Sequence, residues 1–214
     1  NEMATKTLLA SGVAALALLS AVPASAQGLT FSWGGTITSN YISRGVTQTE
    51  NRPAFQPWVE VEANGFYGGI WASNVRFGGI DPDRAEIDIY GGYRWTVENT
   101  SFDIGYARYL YDDSGDCCGE FYGLVSHEAG EVTMFGGVYI DPENRLSPTD
   151  AHAGLSVALM DNFSASSTLG YAPGGAYADV GVTYTFQDNY EIDARVYRSG
   201  SLGTRGVVSF NFGF

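Results

Sequence analysis

Apolar and polar side chains alternate with period two in about a dozen separate segments of this chain. The last segment shows the pattern: Val208, Phe210, Phe212 and Phe214 alternate with Val207, Ser209, Asn211 and Gly213. Such alternation gives an extended strand one apolar and one polar face. Similar segments run over 29–40, 55–63, 66–76, 85–95, 101–111, 120–127, 131–140, 151–159, 163–171, 177–186, 190–197 and 205–214. Their lengths suit a tilted membrane strand of about 9–11 residues.

The connections between segments alternate in kind. Tight ones fall at Asn64-Gly65, Glu98-Asn99-Thr100, Ala129-Gly130, Asp161-Asn162 and Asp188-Asn189, with the Gly, Asn or Asp that hairpin turns favour. Mostly longer, polar ones lie between them: SRGVTQTENRP, GGIDPD, DDSGDCC, DPENRLSPTD, APGG and RSGSLG. Transmembrane barrels have short periplasmic turns and longer outside loops. An extracellular β-sandwich would share the alternation but has no reason to alternate its loops. The sequence therefore predicts an all-β, antiparallel transmembrane β-barrel of about 12 strands. Residues 27–214 form its single domain. An even strand count places both termini on the periplasmic side, with a terminal aromatic, Phe214, at the interfacial girdle.

The amino-terminal stretch fits export. From Met3 it has one lysine, Lys6, an apolar run over 8–19 and a small-x-small site at Ala24-Ser25-Ala26. This reads as a secretory signal peptide over residues 1–26, with Asn1 and Glu2 upstream of the start. Mean hydropathy is −0.08, as expected when lumen-facing polar residues dilute lipid-facing ones. The 28 glycines and 30 aromatics (14 Tyr, 12 Phe, 4 Trp) fit the same class. Net charge is −13, and Lys6 is the only lysine. That balance argues against a nucleic-acid partner.

Parity assigns the faces. Leu29, Phe31, Trp33 and Ile37 oppose Thr30, Ser32, Thr36 and Asn40, and Phe55, Val59 and Val61 oppose Gln56, Glu60 and Glu62. Ile87, Ile89, Tyr93 and Trp95 oppose Glu86, Asp88 and Arg94, and Ile192, Ala194 and Val196 oppose Glu191, Asp193 and Arg195. A basic side chain facing lipid near the midplane costs about 2–4 kcal/mol, so the charged stripe faces inward. Two places resist. Phe135 and Tyr139 share a face with Thr133, and Arg108 shares one with Phe102 and Ile104.

Ser39 to Gln56 (SNYISRGVTQTENRPAFQ), followed by Gly65 to Val75 (GFYGGIWASNV), resembles the opening of the TorF-like family of outer-membrane porins. The matching residues are Tyr41, Arg44, Gly45, Thr47 and Gln48, then Trp71, Ser73 and Asn74. The resemblance implies a small β-barrel pore whose carboxy-terminal Phe214 is read by the barrel-insertion machinery. It implies no particular solute.

The expected pore lining is Glu60, Glu62, Glu86, Asp88, Asp103, Asp179, Glu191 and Asp193 against Arg94 and Arg195. An acidic excess favours cations. The expected function is passive diffusion of small hydrophilic solutes, with outer-membrane lipid and lipopolysaccharide as surroundings and no cofactor. The competing expectation is a lumen filled by acid–arginine pairs, leaving a structural barrel. For the mouth residues Tyr41, Arg44 and Gln48, either the loop folds inward as a constriction with Arg44 facing the acids, or Arg44 and Arg52 offset Glu50 on a solvated loop. Cys117 and Cys118 lie in an acidic loop and form a vicinal disulfide, remain free or pair between molecules, with a carboxylate metal site a weaker reading. A lipid-modifying enzyme is the competing class. Ser126 and His127, as strand neighbours, point to opposite faces. Ser156 lies about 13 Å along the strand from His152. Neither pairing makes an activated nucleophile, so no catalytic residue is assigned.

Overall fold

The computed structural model describes residues 28–79 and 81–214; the expected signal peptide lies outside them. Twelve long strands close into one barrel: β1 (Leu29–Thr38), β4 (Ala54–Ala63), β5 (Phe66–Asn74), β6 (Ala85–Val97), β7 (Thr100–Tyr111), β8 (Gly115–Ala129), β9 (Val132–Asp141), β10 (Ser147–Met160), β11 (Phe163–Ala172), β12 (Gly175–Phe186), β13 (Tyr190–Ser199) and β14 (Gly203–Gly213). Two short strands, β2 (Ile42–Ser43) and β3 (Val46–Thr47), form a separate hairpin. Each long strand pairs with its chain neighbour, and β1 pairs with β14 through Gly34↔Gly213 to Thr38↔Ser209. Closure removes the exposed edges that a membrane does not tolerate.

The terminal aromatic is part of that closure. The amides of Phe214 and Trp33 each donate to the other's carbonyl, at 2.8 and 2.9 Å. Their rings stack at 5.0 Å. Around them lies a belt of outward aromatics, all at the end bearing the tight turns. Phe66 contacts Tyr93, Trp95 stacks on Phe102, Phe163 contacts Tyr184, and Tyr190 stacks on Phe210. Aromatic girdles mark membrane interfaces. Between this belt and the loop end the outer wall exposes Ile70, Ile89, Val138, Leu155, Val180 and Val208. So continuous an apolar surface needs lipid against it.

The parity assignments hold at register level, and the two resistant places have physical reasons. Phe135 and Tyr139 are lumenal aromatics, each 8–9% exposed. Arg108 faces outward as its parity requires. It lies near the loop end, where it pairs with Asp116 at 2.6 Å and also with Glu143. The expected loop boundaries move. Only residues 112–114 of DDSGDCC form the turn, because β8 begins at Gly115. Cys117 and Cys118 are thus strand residues, with their sulfurs joined. A register shift at Tyr109/Leu110 gives Cys117 no partner on β7.

At the loop end, Asp83 ties the β5–β6 connection to the β7–β8 turn. Its carboxylate accepts from the amides of Asp113 (3.0 Å) and Ser114 (2.9 Å) and from the Ser114 hydroxyl (2.7 Å). Donation from the Ser114 amide above all, then from the other two groups, holds the Asp83 carboxyl below its usual range. A depressed folded pKa stabilises above the unfolded value and loses that contribution as pH falls through the folded one. We expect the Asp113 and Ser114 amides to stay protected from hydrogen exchange down through about 3.9, where an ordinary aspartate protonates, and to lose protection below it. Asp83→Ala, which removes the accepting oxygen, should expose both amides already at neutral pH.

Candidate functional site

The lumen is built on strict alternation, and its two halves differ. On β4 to β9 large side chains point inward. Trp58, Tyr67, Trp71, Tyr90, Tyr122 and Tyr139 form one buried cluster, with Tyr41, Tyr109 and Leu124 packed against it. Glycines make room for these rings. A Cβ on Gly69 would lie 2.3 Å from the Tyr90 hydroxyl, and one on Gly105 would lie 2.4 Å from that of Tyr122. The opposite wall is lined by small hydroxyl and amide groups: Ser32, Thr36, Ser164, Thr183, Thr185, Ser209 and Asn211. These are all partly exposed, and they open toward the turn end.

The lumen holds three arginine-centred clusters, and the predicted pore lining supplies two of them. Arg94 grips Glu60 with both terminal nitrogens, at 2.7 and 3.0 Å, and reaches Glu62 at 2.9 Å and Asp103 at 3.3 Å. Its guanidinium lies 3.6 Å from the Tyr67 ring centre. Arg195 pairs with Asp179, with Asp193 (3.0 Å) and with the Ser166 hydroxyl (2.8 Å). The third cluster was not foreseen as one. Arg44 binds both oxygens of Glu120, at 2.7 and 2.6 Å, and lies 4.9 Å over Tyr139. Close by, Asp150 accepts from Tyr177 (2.7 Å) and contacts His152 (2.6 Å). Glu120 opens the 120–127 segment but groups with the acidic loop around Cys117 and Cys118, and Asp150 falls in a stretch read as loop; their even parity with Tyr122 and with His152 was the available signal. Glu86, Asp88 and Glu191 also face inward, with no arginine or histidine paired to them among the described residues.

Arg44 reaches the lumen on the β2–β3 hairpin. Arg44 and Gly45 form its tip at φ 48° and 75°, both left-handed, as the tightest hairpin turn requires. The tip crosses to the far wall. Gly45 carbonyl accepts from Ser199 Oγ at 2.6 Å, and a Cβ on Gly45 would lie 2.6 Å from Tyr177 Cβ. Its base is fixed by Thr49, 1% exposed, which accepts from the Tyr41 amide, and by Thr47 Oγ1, which donates to Asn40 at 2.6 Å. Tyr41 and Arg44 thus sit on an inward-folded hairpin, with Arg44 against Glu120. Gln48 stays at the base, where its amide donates to Tyr41 O and its side chain bonds Val46 O. Glu50 pairs with Arg76 at 2.6 Å, rather than with Arg44 or Arg52. Ser126 points into the lumen, and His127 points outward to the Thr100 hydroxyl at 2.9 Å.

A family model described as "Bacterial protein of unknown function (Gcw_chp)" matches residues 21–205. The chain belongs to the Gcw_chp family. The match does not carry the TorF-like name suggested by the Ser39–Gln56 stretch. No curated protein matches the Gcw_chp chain. Among solved structures, outer membrane phospholipase A from Escherichia coli aligns at 11% identity over 86% of this chain and 89% of its own, with a TM-score of 0.47. A triple mutant of the Rh. blastica porin aligns at 10% identity over 87% of this chain and 100% of its own, with a TM-score of 0.41. At such values these likenesses say nothing of what the Gcw_chp lumen does, and the fold stands on its own strand pairing.

Proposed function

We propose that this protein is a narrow, cation-preferring channel of the bacterial outer membrane, for small hydrophilic solutes, with the β2–β3 hairpin as its constriction. The observation that carries the reading is the hairpin itself, latched by Arg44 across a lumen that is acidic elsewhere. Behind it the hydroxyl-lined wall offers a wet path toward the turn end, while Glu86, Asp88 and Glu191 leave a negative excess that favours cations. On this reading the loop end faces outward beside lipopolysaccharide, both termini are periplasmic, Phe214 is read by the insertion machinery, and the barrel does no covalent chemistry.

The burial of Trp58, Trp71, Tyr90 and Tyr139 supports a second reading, a structural barrel with a filled lumen. The test is the reversal potential of the refolded chain from Gln27 in a planar bilayer under a potassium chloride gradient. The expected result is small discrete conductance with a cation-selective reversal potential. Anion selectivity would mean that the arginines control the path. Silence from a verified folded barrel, with or without Arg44, would favour the filled lumen.

A further inference from the structure

Three successive lumen-facing positions of β6 each hold an oxygen without a hydrogen-bond partner: Glu86 Oε2, Asp88 Oδ1 and Tyr90 Oη. The three residues are 6, 5 and 7% exposed. As alternate residues of one strand they stand about 7 Å apart along the wall. Every other buried lumenal carboxylate among the described residues has a basic partner: Glu60 has Arg94, Glu120 has Arg44, Asp150 has His152 and Asp179 has Arg195. Glu86 takes one hydrogen bond from Tyr111, at 2.9 Å. Burying two neighbouring carboxylates with no ion-paired partner is costly, and a positive species from solution, a proton or a cation, would relieve it.

The surroundings select the kind of cation. Trp71 and Tyr109 flank Asp88 on the two adjoining strands, and Tyr111 flanks Glu86. Tyr41 of the hairpin base stands edge-on to Trp71, with ring centres 5.6 Å apart. A hard divalent ion needs more oxygen ligands than two carboxylates supply, and the described residues contain no group of three or more acidic, histidine or cysteine side chains that could hold a metal. Aromatic walls beside a carboxylate pair suit an alkylammonium group, which the rings attract and the acids neutralise.

We propose that Glu86 and Asp88 form a lumenal binding site for a small organic ammonium ion, walled by Trp71 and Tyr109 and covered by Tyr41. The inference deepens the channel reading and rests on it, since the bound ion would be a solute the lumen admits. The test titrates the refolded protein in detergent with tetramethylammonium chloride, and separately with sodium chloride at equal ionic strength, following tryptophan fluorescence. A saturable response to tetramethylammonium alone is expected. Asp88→Asn and Glu86→Gln should each weaken it about ten- to hundredfold, the factor expected on removing a charged partner. Glu131→Gln, in a turn at the opposite end, should leave it unchanged. Equal responses to both salts, or a response that survives both lumenal substitutions, would overturn the site. So would a signal that follows pH but not tetramethylammonium, because the pair would then hold only a proton. Potassium chloride conductance on the same preparation separates the two ideas. Cation-selective current without saturable binding overturns the site and leaves the channel, whereas saturable binding without current supports the site and overturns the channel.

Discussion

Arg94→Ala is expected to destabilise the barrel by about 3–5 kcal/mol, the range for removing one partner of a buried ion pair. Arg94 holds Glu60, Glu62 and Asp103 together from the middle of the β4–β7 wall. The Glu60 side chain is only 5% exposed. Without the guanidinium it would be an uncompensated charge between Tyr67 and Tyr90. The loss comes chiefly from that stranded carboxylate, so Arg94→Gln combined with Glu60→Gln should recover most of the stability. Arg94→Lys should not, because an ammonium cannot reproduce the two-pronged grip on Glu60 while its side nitrogen meets Asp103. Denaturant-dependent folding in detergent micelles, followed by tryptophan fluorescence, measures all three. An Arg94→Ala loss below about 1 kcal/mol, the level of a solvated surface pair, would mean that water screens the cluster.

The contrast between Arg94 and Arg44 shows what could be read from the chain. Arg94 sits in a clean alternating strand, opposite Tyr93 and Trp95, so parity alone turned it inward toward Glu60 and Glu62. All twelve barrel strands were legible for the same reason, since lipid outside and water inside enforce period two. Three things were not legible. Trp58, Tyr67, Trp71 and Tyr90 lie on the lumenal parity, but an aromatic reads as apolar, and only the glycines across from these rings show that the lumen can hold them. Glu120 and Asp150 lay beside turn-forming residues, and strands that extend past the bilayer absorbed those loops. Arg44 depended on a fold-back that no periodicity encodes. Its local signal was Arg-Gly between Ile42-Ser43 and Val46-Thr47, a tight-turn dipeptide that says nothing of where the hairpin lands. The landing is set by contacts distant in sequence: Glu120 and Tyr139 for the guanidinium, Ser199 and Tyr177 for Gly45.

Those contacts make the hairpin the place where a single substitution should change conduction most. Arg44→Ala removes both bonds to Glu120 and the stacking on Tyr139; the barrel strands keep their pairing, and Glu120, 8% exposed, loses its counter-charge but keeps the Tyr109 hydroxyl as donor at 2.7 Å. A charged hydrogen-bonded pair is worth about 1.5–3 kcal/mol, so the undocked population should rise about ten- to hundredfold. If only the undocked state conducts, mean potassium current rises by the same factor until that state dominates. Gly45→Val should act in the same direction by another route. Its side chain would strain a backbone at φ 75° and collide with Tyr177 and Ser199, pushing the tip off the far wall with Arg44 intact. Glu120→Gln should fall between wild type and Arg44→Ala, because a neutral amide still accepts one hydrogen bond. Single-channel recording orders the four proteins. A rise shared by Arg44→Ala and Gly45→Val identifies undocking as the opening step. A rise in Arg44→Ala alone would instead assign the effect to the lost positive charge, with the hairpin a fixed ledge that narrows the path without moving.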